Sequence, residues 1–234
     1  MNGWDESAKA WIADMGTDGD WSRKHVLDPF LDPYFDSLPR GRVLDLGSGE
    51  GRYCRKLTNM GFDVVGLDPT QLLVERSKEV QPDLEAIRGD AEALPFQSES
   101  FDLVLSCLSL IDIDDFRAAI TESSRVLKPG GLFVVANLND FATSVANPWI
   151  KDAEGNRLHL AVDNYMTEQA QWVGWRGINI CNWHRPVSAY MKSFLDAGLQ
   201  LKIYDQPPAV GVSEESAASY ARAPYFVVMV WQRS

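Results

Sequence analysis

The sequence predicts an α/β fold built on a mostly parallel β-sheet. Apolar, strand-like runs alternate with amphipathic helical runs between residues 40 and 137, which is the rhythm of parallel βαβ units. Residues 100–107 are almost continuously apolar, as expected for a strand that helices cover on both faces. A glycine-rich turn joins the first strand of this series to its first helix. We therefore expect helices on both faces of the sheet.

Each element has a signal in the residue pattern. Gly61 predicts the end of the first helix of the series, and Pro129 predicts the end of the helix before the fifth strand. Apolar residues at helical spacing predict helices over 4–15, 22–37, 51–60, 70–80, 116–127 and 187–195. Runs of β-prone residues predict strands over 43–46, 62–68, 83–88, 100–107, 132–137, 199–204 and 225–232.

Composition and charge narrow the partners. The chain has 234 residues, 45% of them hydrophobic and 24% charged, which suits one soluble domain with a small lid. A net charge of −11 disfavours nucleic acid and anionic membranes, so we expect a small-molecule substrate. No apolar run is long enough to span a membrane, and the acidic N-terminus does not fit a signal peptide, so a cytoplasmic location is expected. We expect a monomer or a homodimer. The three cysteines and three histidines lack metal-ligand spacing, and no metal is predicted.

Residues 43–52 form the most informative stretch. An apolar strand containing Asp45 runs into glycines at positions 47, 49 and 51. Such a turn at a helix N-terminus binds nucleotide-like ligands in α/β folds, although it also serves simply to pack a helix against a strand. The spacing differs from the G-x-G-x-x-G pattern of dinucleotide dehydrogenases.

Three motifs resemble those of class I S-adenosylmethionine (SAM) dependent methyltransferases. They are the D-x-G-x-G-x-G loop at 45–51, the G-D-A-E-A-L-P-F run at 89–96 and the R-V-L-K-P-G-G run at 125–131. In style they are similar to the small-molecule branch, which includes ubiquinone and menaquinone biosynthesis enzymes. The resemblance implies a Rossmann-like sheet of seven strands with an antiparallel last strand, SAM as the cofactor and S-adenosylhomocysteine as its product. It rests on motifs over residues 40–137 and on pattern alone over 185–232.

The cofactor residues follow from strand ends and from this resemblance. Asp68 ends the second strand, where a carboxylate accepts hydrogen bonds from ribose hydroxyls or merely stabilises a turn. The resemblance places adenine at Asp90 and the methionine amine near Cys107 and Leu108. The expected cofactor-binding residues are Asp45, Gly47, Ser48, Gly49, Arg52, Asp68, Pro69, Asp90, Ala91, Glu92, Cys107 and Leu108.

Four segments are expected. Residues 1–39 form an N-terminal helical lid, residues 40–137 the SAM-binding core, residues 138–183 an inserted substrate cap, and residues 184–234 the rest of the core sheet. The tryptophans of the first helix serve either as a lid or as ordinary packing. The aromatic-rich insertion suits a substrate cap, or else a hairpin and helix that cover the sheet edge without contacting ligand.

The predicted reaction is in-line methyl transfer to oxygen, nitrogen or carbon of a small aromatic or partly apolar metabolite. Positioning supplies much of such catalysis, and a base is needed only when the acceptor must lose a proton. His184 is the candidate base, with Tyr165 and His159 in reserve, although His184 equally suits a helix start. Trp11, Tyr165, Trp175 and Arg185 are the candidate substrate-binding residues. The alternatives are a catalytically silent SAM-binding or partner-binding module and an NAD-dependent oxidoreductase.

Overall fold

The computed structural model describes residues 2–16, 19–146 and 148–234. Parts of the predicted lid and of the predicted cap, at residues 1, 17, 18 and 147, lie outside this description. Within the described residues, no helix is long and apolar enough to cross a bilayer.

Helices flank a central sheet. The helices are α1 (Trp4–Met15), α2 (Asp28–Asp36), α3 (Arg52–Asn59), α4 (Gln71–Val80), α5 (Phe116–Val126), α6 (Asp140–Thr143), α7 (Val187–Asp196) and α8 (Glu214–Ala221). A π-helical turn over Arg23–Leu27 leads directly into α2, so the helix predicted over 22–37 starts with wider turns. Pro29 lies at the junction of this turn with α2, where it has no amide to donate to the preceding turn.

The strands divide into one large sheet and two hairpins. They are β1 (Arg42–Leu46), β2 (Asp63–Asp68), β3 (Glu85–Arg88), β4 (Phe101–Cys107), β5 (Leu127–Leu138), β6 (Trp149–Lys151), β7 (Arg157–Leu160), β8 (Gln169–Trp175), β9 (Ile178–His184), β10 (Leu199–Asp205) and β11 (Phe226–Arg233). β5 begins at Leu127 rather than at the predicted residue 132, because the Pro-Gly-Gly run continues the strand instead of separating it from the helix.

The large sheet confirms the predicted fold class. Its seven strands lie in the order β10-β11-β5-β4-β1-β2-β3. β11 is antiparallel to both of its neighbours, and the other core pairs are parallel. The chain moves outward from β1 towards β3 and then returns to β4 on the other side of β1. This reversal opens a crevice at the carboxyl ends of β1 and β4, where α/β proteins bind ligands.

Helices cover both faces of the sheet, also as predicted. Neighbouring strand residues point to opposite sides: Leu44 and Val104 join one buried cluster, whereas Val43 and Leu103 join the other. The first cluster includes side chains of α5 and α7, and the second includes side chains of α2 and α3. Residues buried on both faces explain why β4 reads as a continuous apolar run.

The segment at 138–183 has more regular structure than its sequence indicated. It contains α6 and two antiparallel hairpins, β6–β7 and β8–β9. β9 packs on α1, because the Ser7 hydroxyl donates to the Asn179 carbonyl at 3.1 Å and accepts from its amide at 2.9 Å. The Cys181 amide also donates to the Asn2 carbonyl at 2.9 Å. We call α1 and the β8–β9 hairpin together the cap. This cap differs from the one predicted over 138–183, because it includes α1 and leaves out α6 and the β6–β7 hairpin.

Candidate active site

A cavity of about 720 Å³ opens at the carboxyl ends of β1, β2 and β4, beneath the cap. All twelve predicted cofactor residues line it: Asp45, Gly47, Ser48, Gly49, Arg52, Asp68, Pro69, Asp90, Ala91, Glu92, Cys107 and Leu108. Of the predicted substrate residues, Trp11 and Trp175 line the cavity, whereas Tyr165 and Arg185 do not. His184 does not line it either.

The glycine loop is fastened to the end of β2. The amides of Gly47 and Ser48 both donate to the Leu67 carbonyl, at 2.8 and 3.0 Å. Gly47 has a φ of +72°, and a Cβ at this position would lie 2.4 Å from Cβ of Ser109, so only glycine fits. Gly49 has a φ of +56°, but the nearest atom to a Cβ there is the Trp11 indole nitrogen at 3.8 Å. The loop therefore combines one sterically closed glycine with one that borders open space.

Asp68 holds the loop in this shape. Its two carboxylate oxygens accept hydrogen bonds from the amides of Gly49 and Thr70, each at 2.8 Å. Burial raises the pKa of Asp68, and these two hydrogen bonds act against that shift. The Thr70 side chain also hydrogen-bonds the carboxylate, which leaves one of its roughly four acceptor sites for a ligand, and the side chain borders the cavity. The turn role and the ligand role that the sequence left open are therefore compatible.

Asp45 is a buried acid beneath the loop. The Cys54 thiol donates to its carboxylate at 3.2 Å, and the residue is 2% exposed. Burial, reinforced by the charges of Asp68 and Glu50, raises the pKa of Asp45 from 3.8 to about 7. A bound cation at this end of the cavity would favour the ionised form.

The basic side chains around the loop are paired with acids. Arg55 pairs with Glu50 at 2.6 Å, and Arg52 donates to the Asp28 carboxylate at 3.1 Å. Arg52 thus borders the cavity with its guanidinium directed to α2. The cavity wall is rich in carboxylates, which would repel a pyrophosphate and attract the positive sulfonium of a SAM-like cofactor. Among the described residues, no group of three His, Cys, Asp or Glu side chains is arranged to hold a metal ion.

Tryptophans form the other wall. Trp4 and Trp11 of α1 meet edge to face with ring centroids 5.1 Å apart. Trp175 and Trp183 line the cavity from the β8–β9 hairpin. The tryptophans of α1 thus line the cavity, and so do side chains of the β8–β9 half of the predicted cap. The β6–β7 hairpin lies outside the cavity lining.

The structure does not bring His184 into the cavity. Its side chain is 1% exposed and lies under α6. Nε2 lies 2.8 Å from the Tyr165 carbonyl, which only accepts, so the proton is assigned to Nε2. Nδ1 lies 2.9 Å from the Thr143 hydroxyl, whose single hydrogen is shared between this nitrogen and the Asp140 carbonyl at 3.0 Å. Burial lowers the pKa of His184, so the ring is neutral with both nitrogens used. The Tyr165 hydroxyl accepts from the Val187 amide at 3.3 Å at the start of α7.

Arg185 organises backbone and does not face a ligand. It is 1% exposed, and its guanidinium donates to the carbonyls of Leu110 and Asp114, both at 3.0 Å, and to that of Ile113. It also lies over the Phe116 ring at 4.2 Å. Among the described residues, no carboxylate forms an ion pair with it. It fixes the loop that follows β4.

Sequence reasoning missed Asp112 in that loop. Asp112 lines the cavity and is 8% exposed. Its carboxylate accepts from the Trp4 indole at 3.1 Å and from the Asn182 side-chain amide, so it touches both parts of the cap. Burial raises its pKa to about 7. The strand-end rule that selected Asp68 could have found Asp112, because it follows the carboxyl end of β4.

The comparisons with known proteins agree with this geometry. The family described as "Methyltransferase domain" matches residues 44–135. A demethylmenaquinone methyltransferase of Renibacterium salmoninarum is 31% identical over 217 residues, which cover 82% of this chain and 87% of the relative. An uncharacterized methyltransferase of Mycobacterium tuberculosis is 40% identical over 100 residues, 42% of this chain and 41% of that one.

Solved structures share the fold. A SAM-dependent methyltransferase of Mesorhizobium loti superposes with a TM-score of 0.79 at 27% identity, covering 93% of this chain and all of that one. The fold and the carboxylate-lined glycine loop define a SAM-dependent methyltransferase of class I, and the chain belongs to that family. Within the family it resembles the demethylmenaquinone methyltransferases. Its cofactor is therefore SAM.

Proposed function

We propose that this enzyme transfers the methyl group of SAM to a small hydroquinone of the demethylmenaquinol type. The observation that carries the proposal is the cavity between two unlike walls, with carboxylates around the glycine loop on one side and tryptophans facing them on the other. The relative from Renibacterium salmoninarum, a demethylmenaquinone methyltransferase, supports a quinone acceptor. We extend that acceptor class to this chain as part of the proposal.

The wall formed by the glycine loop suits the ribose and adenine groups of SAM. When bound, SAM supplies an electrophilic methyl group on a sulfonium. Asp68 is proposed to accept from a ribose hydroxyl at the acceptor site that its other hydrogen bonds leave over. Asp90 is proposed to accept from the adenine amine. Leu108 has a φ of +57°, and its amide already donates to the Ala136 carbonyl at 2.8 Å, so the backbone beside Cys107 is held in a fixed turn at the cavity wall.

The tryptophan wall of the cavity suits a flat acceptor. Indole rings offer broad apolar surfaces at low cost in conformational entropy, and together they can enclose an aromatic ring. The cap also shields the reacting atoms from water, and α1 and β9 are joined by hydrogen bonds into one cover. We propose that the N-terminal lid and the β8–β9 half of the insertion act as this cover together.

A direct assay tests the proposal. The enzyme is incubated with SAM and a reduced demethylmenaquinone carrying a short tail, and the products are followed by mass spectrometry. We expect a methylated quinone and an equal amount of S-adenosylhomocysteine. SAM binding with no methylated product from any hydroquinone would refute the acceptor class.

The cofactor half has its own variant pair. We expect Asp68→Asn to weaken SAM binding at least about tenfold, because a charge-assisted hydrogen bond contributes about 1.5–3 kcal/mol. The matched control is Asp63→Asn at the exposed start of the same strand. Calorimetry measures both affinities, and equal affinities in the two variants would reduce Asp68 to a turn residue.

A further inference from the structure

The loop after β4 carries a carboxylate in an unusual setting. Both oxygens of Asp112 accept hydrogen bonds from uncharged donors, the Trp4 indole and the Asn182 amide. The Asp112 amide donates to the Ser109 carbonyl at 2.9 Å, which closes a tight turn. No ion pair of Asp112 occurs in the part of the chain that the structure describes. An acid that is 8% exposed and lacks a paired cation is costly to keep unless it has a task.

The groups around Asp112 set its pKa. Burial and the negative charge of Asp68 on β2 raise this pKa, and the positive charge of Arg185 lowers it. Cys181 of β9 is a neighbour whose own pKa is raised. From α1 the facing group is the uncharged Trp4 indole. The resulting pKa of Asp112, about 7, lets the carboxyl exchange a proton near neutrality.

The position of Asp112 is rigid. Arg185 binds carbonyls on both sides of it, at Leu110, Ile113 and Asp114. The Trp183 amide donates to the Ile111 carbonyl at 2.7 Å, which attaches β9 to the same loop. A group used for proton transfer must be held in place, and here the backbone carrying it is fixed by a buried guanidinium.

The other buried acids of the cavity have different positions. Asp45 lies beneath the glycine loop, where the Cys54 thiol bonds it. Asp68 is committed to the amides of Gly49 and Thr70. Asp112 is the one of these three that touches the tryptophan-lined cap. We therefore place the acceptor beside Asp112, against the tryptophans of the cap.

We propose that Asp112 binds the hydroxyl of the methyl acceptor and removes its proton. This inference rests on the proposed function and narrows it to acceptors with an ionisable hydroxyl, the phenol and hydroquinone class. The acceptor O–H bond breaks, its proton joins a carboxylate oxygen of Asp112, and the electron pair stays on the acceptor. That pair, on oxygen or on the conjugated ring carbon, forms the bond to the methyl carbon. The carbon–sulfur pair passes to sulfur, leaving a neutral thioether.

Proton balance closes in either case. After attack through oxygen, Asp112 releases its proton to water. After attack through carbon, the ring carbon also gives up its own proton while the oxygen regains one, which restores the aromatic ring. One proton is released per methyl transferred.

The test measures binding and needs no turnover. The protein, saturated with S-adenosylhomocysteine, is titrated calorimetrically with 1-naphthol and with 1-methoxynaphthalene, which lacks the donated proton. We expect the wild type to prefer 1-naphthol by about tenfold or more at pH 8, the fold-change of a charge-assisted hydrogen bond. The preference should shrink at pH 6, because a protonated carboxyl is the weaker acceptor.

Three variants complete the test. In Asp112→Asn we expect the preference to fall within about threefold of unity and to lose its pH dependence, because an amide is a neutral acceptor. Affinity for S-adenosylhomocysteine should stay within about threefold of the wild type, since the side chain of Asp112 makes no hydrogen bond to the glycine loop among the described residues. Asp83→Asn, in an exposed turn before β3, is the matched control and should behave as the wild type does. Trp4→Phe removes one donor from the carboxylate, so the preference should appear at higher pH.

The outcomes separate the two claims. A naphthol preference that is absent in the wild type, or unchanged in Asp112→Asn, would overturn the role of Asp112. If Asp112→Asn fails to fold, an unchanged pH dependence in Trp4→Phe would overturn it instead. Failure to methylate a demethylmenaquinol, with the naphthol results as expected, would reject the proposed acceptor and leave the role of Asp112 standing.

Discussion

Replacing Gly47 by alanine tests whether the glycine loop is shaped by contact with the loop after β4. Alanine at a positive φ costs about 1–2 kcal/mol. Reduced freedom of the unfolded chain offsets about 0.4–1 kcal/mol of this. The new Cβ would also lie 2.4 Å from Cβ of Ser109, and such overpacking costs about 1–3 kcal/mol. We expect the free energy of unfolding to fall by about 2–4 kcal/mol.

Gly49 provides the matched control. Its φ is also positive, but the nearest atom to an added Cβ is 3.8 Å away. Gly49→Ala should therefore cost only the strain, about 1 kcal/mol after the same offset. Urea denaturation followed by circular dichroism measures both values.

A third variant isolates the contact. In a Ser109→Gly background the clashing Cβ is absent, so Gly47→Ala should cost about as much as Gly49→Ala does in the wild type. Equal costs for the two alanine variants in the wild-type background would refute the steric argument. An extra cost of Gly47→Ala that persists in the Ser109→Gly background would do the same.

Two further predictions concern ionisable groups. The folded-state pKa values of Asp45 and Asp112 are raised from 3.8 to about 7, so between these pH values the folded chain holds protons that the unfolded chain has lost. The ligand-free protein should therefore lose stability as pH rises from about 4 through 7, and scanning calorimetry should show this slope flattened in Asp45→Asn. His184→Ala should lower the unfolding free energy by about 2 kcal/mol, because the Tyr165 carbonyl loses its donor and the buried imidazole is removed, whereas the Thr143 hydroxyl keeps the Asp140 carbonyl. Its folded fraction should keep the wild-type pH profile of turnover; a lost inflection would return His184 to a catalytic role.

Local patterns carried the prediction of the core. The glycine spacing, the apolar β4 run and the acid ending β2 are all features of consecutive residues, and strand ends meet at one edge of a parallel sheet. Asp45, Asp68 and Asp90 could therefore be assigned to one cavity before any contact was known.

The cap could not be derived in this way. Which side chains of β9 reach the cavity depends on its contacts with α1 and with the loop after β4, both distant in sequence. His184 was predicted as a base because it lies where the insertion meets the next helix. Its ring instead lies between Thr143 and Tyr165, outside the cavity lining. The carboxylate of Asp112 is hydrogen-bonded by Trp4 and Asn182, which are 108 and 70 residues away in the sequence.

The hydrogen bonds between α1 and β9 also bear on the order of folding. Ser7 and Asn179 are 172 residues apart, so their contact closes one of the longest loops in the molecule. Contacts of such high sequence separation form late, because the entropy of loop closure must be met first. During synthesis α1 leaves the ribosome long before β9 exists. The parallel core can assemble before α1 and β9 make contact, and the cap becomes complete only when they do.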